Sequence, residues 1–283
     1  MFLVWPSRPL RPNLRCIQGV NLNYKVMYAQ TDAEIARVVA AANRAHGRGE
    51  PIGFDTEFYG VDIGKQSCFA RSKLHLMSLA VKRHPHQLSP RGFQLADAAV
   101  FTRDALERSE LRGLLEGPGV KAVHNLPVDA HTLANEGVIL GGGVNTLAMA
   151  RWAWPDRARG AGFTLDALGQ DLVGAGKTES FRELFREEIT EFRVTTRRER
   201  VCECGAVPKC GRHSTTPGHA RILEVVETRH PRLVLRDIPL ESVLPGHMLW
   251  QRTLNYAAQD AVLALAVYDL ALQAMVTNRE VPW

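Results

Sequence analysis

Residues 51–58, PIGFDTEF, decide the fold. The apolar residues of this stretch predict a buried β-strand, in which successive side chains point to opposite faces. Asp55 and Glu57 are two residues apart, so they share one face of that strand. Two carboxylates on a buried face are energetically unfavourable unless a cation compensates them. The simpler alternative is that both acids lie at a solvated strand end.

Two further acidic motifs follow in the chain. Residues 124–129, HNLPVD, lie where a predicted short strand (120–124) leads into a predicted helix (127–136). Residues 256–260, YAAQD, lie in a long Ala- and Leu-rich helix predicted over 249–276. Tyr256 and Asp260 are four residues apart and share a helix face. Taken singly, Asp129 fits better as a surface acid of the first helical turn, where the helix dipole favours it. Tyr256 with Asp260 is, taken singly, equally a buried hydrogen-bonded pair.

In this order the three motifs resemble the DEDD superfamily of 3′–5′ exonucleases. Asp-x-Glu at 55–57, Asn-x-x-x-Asp at 125–129 and Tyr-x-x-x-Asp at 256–260 match its tyrosine-bearing subclass. That subclass includes the proofreading domains of family-A DNA polymerases and ribonuclease D. The similarity covers roughly residues 27–175 and 247–276. One departure is Asn145-Thr146, where many relatives have Asp-Thr.

The resemblance implies a ribonuclease H-like α/β fold, a mixed five-stranded sheet flanked by helices. It also implies two Mg²⁺ or Mn²⁺ ions held by four acids, with a tyrosine that orients the attacking water. The implied metal ligands are Asp55, Glu57, Asp129 and Asp260, and the implied tyrosine is Tyr256. Thr56 and Asn125 are the implied substrate contacts. An apolar wedge for the terminal bases would be Phe58, Tyr59 or Val61.

Length and composition limit the classes of protein that fit. The chain has 283 residues, 45% of them hydrophobic and 23% charged, which is ordinary globular composition. We expect no membrane span, because no uninterrupted apolar run approaches the roughly 18–20 residues that a span needs. We expect no secretory signal, because Pro6 and Arg8 interrupt the apolar start. We expect an irregular lead-in at 1–26, an exonuclease domain formed by 27–192 and 246–283, and a basic Cys/His insertion at 193–245.

Local patterns predict further elements. Thr31 and Glu34 form a capping-box pattern, so a helix should start near Asp32. Apolar residues between Phe181 and Phe192 recur at helical spacing and predict another helix.

The predicted insertion contains the sequence pattern of a structural zinc site. Three thiolates and one imidazole form a tetrahedral zinc set, and the candidate ligands are Cys202, Cys204 and Cys210 with His219, or with His213 as the rival fourth ligand. The alternative is reduced cysteines in a flexible loop. Residues 193–236 contain ten basic and four acidic residues, within a chain of net charge +5. Arg197 and Arg198 are therefore candidate contacts for a nucleic-acid backbone.

The resemblance to the DEDD superfamily implies a two-metal-ion exonuclease. We expect it to hydrolyse DNA, preferentially single-stranded, from the 3′ end and to release nucleoside 5′-monophosphates. A ribonuclease D-like RNA exonuclease is the first alternative, and a nucleic-acid-binding module on an inactive exonuclease fold is the second. Candidate protein partners are a separate DNA polymerase or another replication protein, in the cytoplasm of a bacterium or a phage-infected cell.

Overall fold

The computed structural model describes residues 24–63, 66–83, 96–160, 162–176, 184–202 and 221–279. The chain divides into two compact units. The first consists of Met1–Leu184 with Pro239–Trp283, and the second is Phe185–Ile238.

The first unit is built on a mixed six-stranded sheet within the described residues. Its strands are β1 (Val26–Tyr28), β2 (Ile52–Ile63), β3 (Gln66–Lys82), β4 (Ala96–Thr102), β5 (Lys121–Val123) and β6 (Gly143–Asn145). Their order across the sheet is β1-β4-β3-β2-β5-β6. β3 is antiparallel to both β2 and β4, and the other pairs are parallel.

Helices flank this sheet. They are α1 (Asp32–Gly47), α2 (Ser109–Glu116), α3 (Leu126–Asn135), α4 (Thr146–Ala153), α5 (Leu165–Leu168) and the final helix α6 (Trp250–Arg279). Shorter 3₁₀ turns span Arg103–Glu107, Pro155–Arg159 and Leu240–Ser242, and a π-helical turn spans Gly169–Val173.

The predicted ribonuclease H-like α/β fold is confirmed, with one strand more than expected. Without β1, the order is β4-β3-β2-β5-β6, which places the strand that contains Asp55 and Glu57 at the centre. The sixth strand, β1, pairs in parallel with β4 at the sheet edge. Three residues are too few to show an alternating pattern in the sequence, so β1 was not predicted.

The start of α1 follows the predicted capping box. The Thr31 side chain accepts a hydrogen bond from the Glu34 backbone N–H, and the Glu34 carboxylate accepts one from the Thr31 N–H at 3.0 Å. The buried face of α1 packs on the core of the first unit with Ile35, Val38 and Val39. This local signal sets where the chain turns back toward β2.

Helix α6 packs against β2, β3 and β4. The segment Trp250–Thr277 is long and apolar enough to cross a membrane by length and composition, and half of its most apolar window is buried inside the protein. Burial against the sheet accounts for the apolar composition, as in the core helix of a globular domain.

Gly53 allows α6 to approach the sheet closely. A Cβ atom at Gly53 would lie 2.1 Å from the backbone oxygen of Ala261 in α6. Gly53 is two residues before Asp55 on the strand, and Ala261 follows Asp260 on the helix. The missing side chain therefore brings the helix backbone down onto β2 beside both acids.

The second unit is a long β-hairpin, of which β7 (Arg186–Cys202) and β8 (Arg221–Asp237) are described. The strands pair in antiparallel register from Arg186↔Asp237 to Cys202↔Arg221. The predicted helix between Phe181 and Phe192 is wrong from Arg186 onward. The β-branched residues Ile189, Val194 and the neighbouring threonines favour a strand, and pairing with β8 overrides the helical spacing.

We predict that Gly53→Ala destabilises the first unit by about 1–3 kcal/mol, because the added methyl group must displace α6. Thermal or urea unfolding measures this change. The matched control is Gly113→Ala in α2, where a Cβ meets nothing within 4 Å. That variant should gain about 0.5–1 kcal/mol from helix propensity. Equal changes in the free energy of unfolding for the two substitutions would contradict the close approach of α6 to Gly53.

Candidate metal centre

Three acids meet at the contact between β2 and α6. Asp55 and Glu57 lie on one face of β2, and Asp260 projects from α6. One carboxylate oxygen of each lies within 4.8 Å of those of the other two. Glu57 and Asp260 are buried at 8% and 6% exposure, and Asp55 is partly buried. The arrangement gathers oxygen ligands of a kind that hard divalent cations prefer.

Asp129, the fourth predicted acid, lies beside this group on the first turn of α3. Its Oδ1 accepts hydrogen bonds from the Thr56 backbone N–H at 2.8 Å and from the Thr56 hydroxyl at 2.7 Å. β2 pairs with β5 from Ile52 to Phe54, so the Thr56 N–H lies beyond that ladder and is open to Asp129. Thr56, a predicted substrate contact, thus holds an acid in place.

The environment of Asp129 favours its neutral form. The side chain is 4% exposed. Burial raises the pKa of Asp129 to about 7, and the negative charge of Asp260 acts in the same direction, while the Thr56 hydrogen bonds oppose the shift. Burial and the charge of Asp260 both disfavour the ionised form of Asp129, and a bound cation would favour it.

The chain reaches Asp129 through a backbone conformation that few residues adopt. Asn125 precedes α3 with φ 62° and ψ 47°, in the left-handed region that asparagine tolerates. Pro127 follows within the first turn, where its fixed φ suits a helix start. Asn125 thus forms the sharp turn between β5 and α3, four residues before Asp129. Its contact with substrate stays a prediction.

Two neighbouring polar residues have structural partners. His124 contacts the Thr146 hydroxyl through Nδ1 at 3.1 Å and the Phe163 carbonyl through Nε2 at 3.1 Å. Asn145, where the sequence departs from the resembled family, accepts a hydrogen bond from the Leu147 N–H at 3.1 Å and caps α4. Asn145 thus performs a capping function that does not need an aspartate.

Two tyrosines lie on or near the α6 turn before Asp260. Tyr256 is partly buried one helical turn before that acid. Tyr24 is a residue that the sequence did not indicate: its hydroxyl donates to the Asn255 carbonyl at 3.4 Å. Burial, together with the charge of Asp260, raises the pKa of Tyr24 to about 12. Tyr24 is therefore a neutral hydroxyl close to the acids.

Aromatic rings lie farther along the same side of the sheet. The register of β2 with β3 shifts between Glu57 and Phe58, and His75 is the extra residue of this bulge. The His75 ring makes edge contacts with Tyr59 and Trp250, each at 6.3 Å between centroids. Of the three wedge candidates, Tyr59 thus has a described ring contact; the Val61 side chain is outside the described residues.

The predicted zinc ligands fall largely outside the described residues. Cys204, Cys210, His213 and His219 lie there, and Cys202 is described as the last backbone position of β7. Arg197 and Arg198 are consecutive β7 positions paired with Val226 and Val225. Among described side chains of this unit, Arg229, Arg232 and Arg236 are exposed.

Comparison with known proteins gives similarities of low identity. The chain is similar to the polymerase domain of Pol1 from M. smegmatis, solved with DNA primer-template and dNTP, at 19% identity and a TM-score of 0.36. That match covers 54% of this chain and 23% of the Pol1 chain. A second similarity is to the EXD2 exonuclease domain, at 16% identity and a TM-score of 0.33, covering 54% of this chain and 72% of that domain. The same domain soaked in Mn gives a TM-score of 0.33. No family model and no curated protein matches the chain. These TM-scores are below 0.5, and the match to Pol1 spans less than a quarter of that chain.

We predict that the metal-free protein loses stability as the pH rises from about 4 to about 7. The ordinary pKa of Asp129 is 3.8, and its folded pKa is about 7. Between these values the folded state holds a proton that the unfolded state has released, so stability falls with rising pH. Melting temperatures in EDTA across this range test the prediction.

The control is Asp129→Asn, whose carboxamide oxygen still accepts the Thr56 hydrogen bonds. This variant should show a flatter dependence of melting temperature on pH. If the melting temperature of the wild type depends on pH in the same way as that of the variant, the raised pKa of Asp129 is contradicted.

Proposed function

We propose that this chain is a metal-dependent 3′–5′ exonuclease. It hydrolyses phosphodiester bonds of nucleic acid, preferentially single-stranded DNA, and releases nucleoside 5′-monophosphates. The observation that carries this proposal is the convergence of Asp55, Glu57 and Asp260 within 4.8 Å, with most of their surface withdrawn from water. Carboxylates so placed are costly without a compensating cation.

The donor set fits Mg²⁺ or Mn²⁺. All candidate ligands are carboxylate oxygens, which these ions prefer over the nitrogen and sulfur ligands typical of zinc. Asp55, Glu57 and Asp260 would hold one ion, and Asp129 would serve a second beside Asp55. Two bound divalent ions supply an activated water and neutralise charge on the phosphate.

The chain's own groups would then orient the reactants. Tyr256, one helical turn before Asp260, would orient the attacking water, as the resemblance implies. The Thr56 hydrogen bonds fix the direction of the Asp129 carboxylate. Asn125, in the turn before α3, would contact the 3′-terminal nucleotide. The roles of Tyr256 and Asn125 follow from the resemblance of the three motifs.

The choice of DNA over RNA and the 3′ polarity rest on the resemblance. A ribonuclease D-like RNA exonuclease is the alternative activity. An inactive nucleic-acid-binding module is less consistent with the site, because the three converging acids and Asp129 are all retained. A separate DNA polymerase remains a candidate protein partner for a proofreading role.

We also propose that the second unit binds nucleic acid. Cys202, Cys204 and Cys210 with His219 or His213 would bind one structural Zn²⁺, and Arg197 and Arg198 would contact phosphates. Arg229, Arg232 and Arg236 of β8 are exposed, and Arg232 and Arg236 lie opposite the exposed acids Glu191 and Glu187, so this proposal rests on the charge of the sequence. Purified protein without zinc after growth in zinc-replete medium would contradict the metal part of this proposal.

The decisive assay follows 5′-labelled single-stranded DNA and RNA of the same sequence, with Mg²⁺, Mn²⁺ or EDTA. We expect stepwise shortening from the 3′ end that EDTA abolishes. Asp55→Ala should lower the rate by more than about 100-fold, because it removes charge stabilisation at the reacting phosphate. Asp104→Ala, an exposed acid outside the site, is the matched control and should leave the rate unchanged.

Tyr256→Phe extends the same assay. Loss of a water-orienting hydroxyl should lower kcat by about 100-fold with little change in KM. Tyr28→Phe in β1 is the control. Full activity of Asp55→Ala would overturn the proposed function. Degradation from the 5′ end, seen as immediate release of the 5′ label, would also overturn it.

A further inference from the structure

Ser78 is a polar residue inside an apolar stretch of β3. Its neighbours Met77 and Leu79 belong to the hydrophobic core, and Ser78 itself is 0% exposed. Its hydroxyl donates to the backbone carbonyl of Ala257 in α6 at 2.8 Å. A buried hydroxyl needs such a partner, and alanine would fill nearly the same space without one. The serine is therefore present for the bond that it makes.

The position of this bond relates it to the metal centre. Ser78 lies directly opposite Asp55 in the β2–β3 register, so the two side chains share one face of the sheet. Ala257 follows Tyr256 and precedes Asp260 by three residues. The Ser78 hydrogen bond thus joins the strand position opposite Asp55 to the turn of α6 that leads to Asp260.

We propose that Ser78 is a positioning residue of the metal centre. Its hydroxyl sets the rotation and height of α6 over β2, so that Asp260 stays within reach of Asp55 and Glu57. The inference rests on the proposed function in one respect, the treatment of these acids as metal ligands.

Other contacts keep α6 attached when the Ser78 bond is lost. The Lys82 ammonium contacts the Asp269 carboxylate at 2.7 Å, with both side chains largely buried. The Gly53 backbone lies against Ala261. Because these contacts persist, removal of one hydroxyl should disturb the local alignment of the acids more than the fold.

The test compares Ser78→Ala with Thr253→Val. Thr253 is also 0% exposed, and its hydroxyl donates at 2.9 Å to the carbonyl of Leu249, a bond along α6 that does not reach the sheet. Each variant loses one buried hydrogen bond from a hydroxyl to a backbone carbonyl. The Ser78 bond joins β3 to α6, whereas the Thr253 bond does not leave the start of α6. The probe is Mn²⁺ alone, titrated into EDTA-stripped protein and followed by the electron paramagnetic resonance of free Mn²⁺.

We expect Ser78→Ala to bind Mn²⁺ about 10-fold more weakly, the usual effect of losing a residue that orients metal ligands. Thr253→Val should bind Mn²⁺ as the wild type does, with a similar loss of melting temperature. Unchanged affinity in Ser78→Ala, an equal loss in Thr253→Val, or a wild type that does not bind Mn²⁺ would overturn the inference.

The nuclease assay separates this inference from the proposed function. One outcome is that Ser78→Ala binds Mn²⁺ more weakly while the wild type degrades no nucleic acid. That outcome would support the positioning role and contradict the proposed exonuclease activity. An active wild type with an unaffected Ser78→Ala variant would contradict the positioning role alone.

Discussion

The convergence of three acids at the contact between β2 and α6 is the constraint on which the arrangement of the first unit depends. Asp55, Glu57 and Asp260 come within 4.8 Å of one another from a strand and a helix that are about 200 residues apart in the chain. Burial makes charge on these carboxylates energetically costly, because water no longer solvates them fully. The surrounding structure therefore holds the three together through packing: Gly53 permits the close approach of α6, and the apolar face of that helix is buried against the sheet. A folded protein that maintains such a cluster is prepared for a cation.

The same constraint explains the position of Asp129. Its carboxylate is held by the backbone and hydroxyl of Thr56, the residue between the two acids of β2. Thr56 thus couples the strand of the first motif to the helix of the second. The final helix is coupled to β3 by the hydroxyl of Ser78 and by the Lys82–Asp269 ion pair. The three motifs are distant in sequence, and a few hydrogen bonds between neighbouring elements fix their relative positions.

The sequence predicted the features that depend on local pattern. The capping box of α1, the alternation of Asp55 and Glu57 and the i, i+4 pair Tyr256 and Asp260 all follow from short-range geometry. The structure has the capping box, brings Asp55 and Glu57 together, and contains Tyr256 and Asp260 in one helix. Features that depend on contacts between distant segments were not predicted. Tyr24 and Ser78 are single polar residues whose partners lie on α6, although a lone serine within LHLMSLAV was a visible signal. The strand that begins at Arg186 was predicted as helix, because its pairing with β8 does not appear in local periodicity.

The central claim is that Asp55, Glu57 and Asp260 form a divalent metal site. Anomalous diffraction from crystals of the protein soaked with Mn²⁺, measured near the manganese edge, tests it most directly. We expect a strong peak within coordination distance of a carboxylate oxygen of all three acids, and its loss in crystals of Asp55→Ala. Manganese peaks elsewhere on the protein, with none between β2 and α6, would contradict the account.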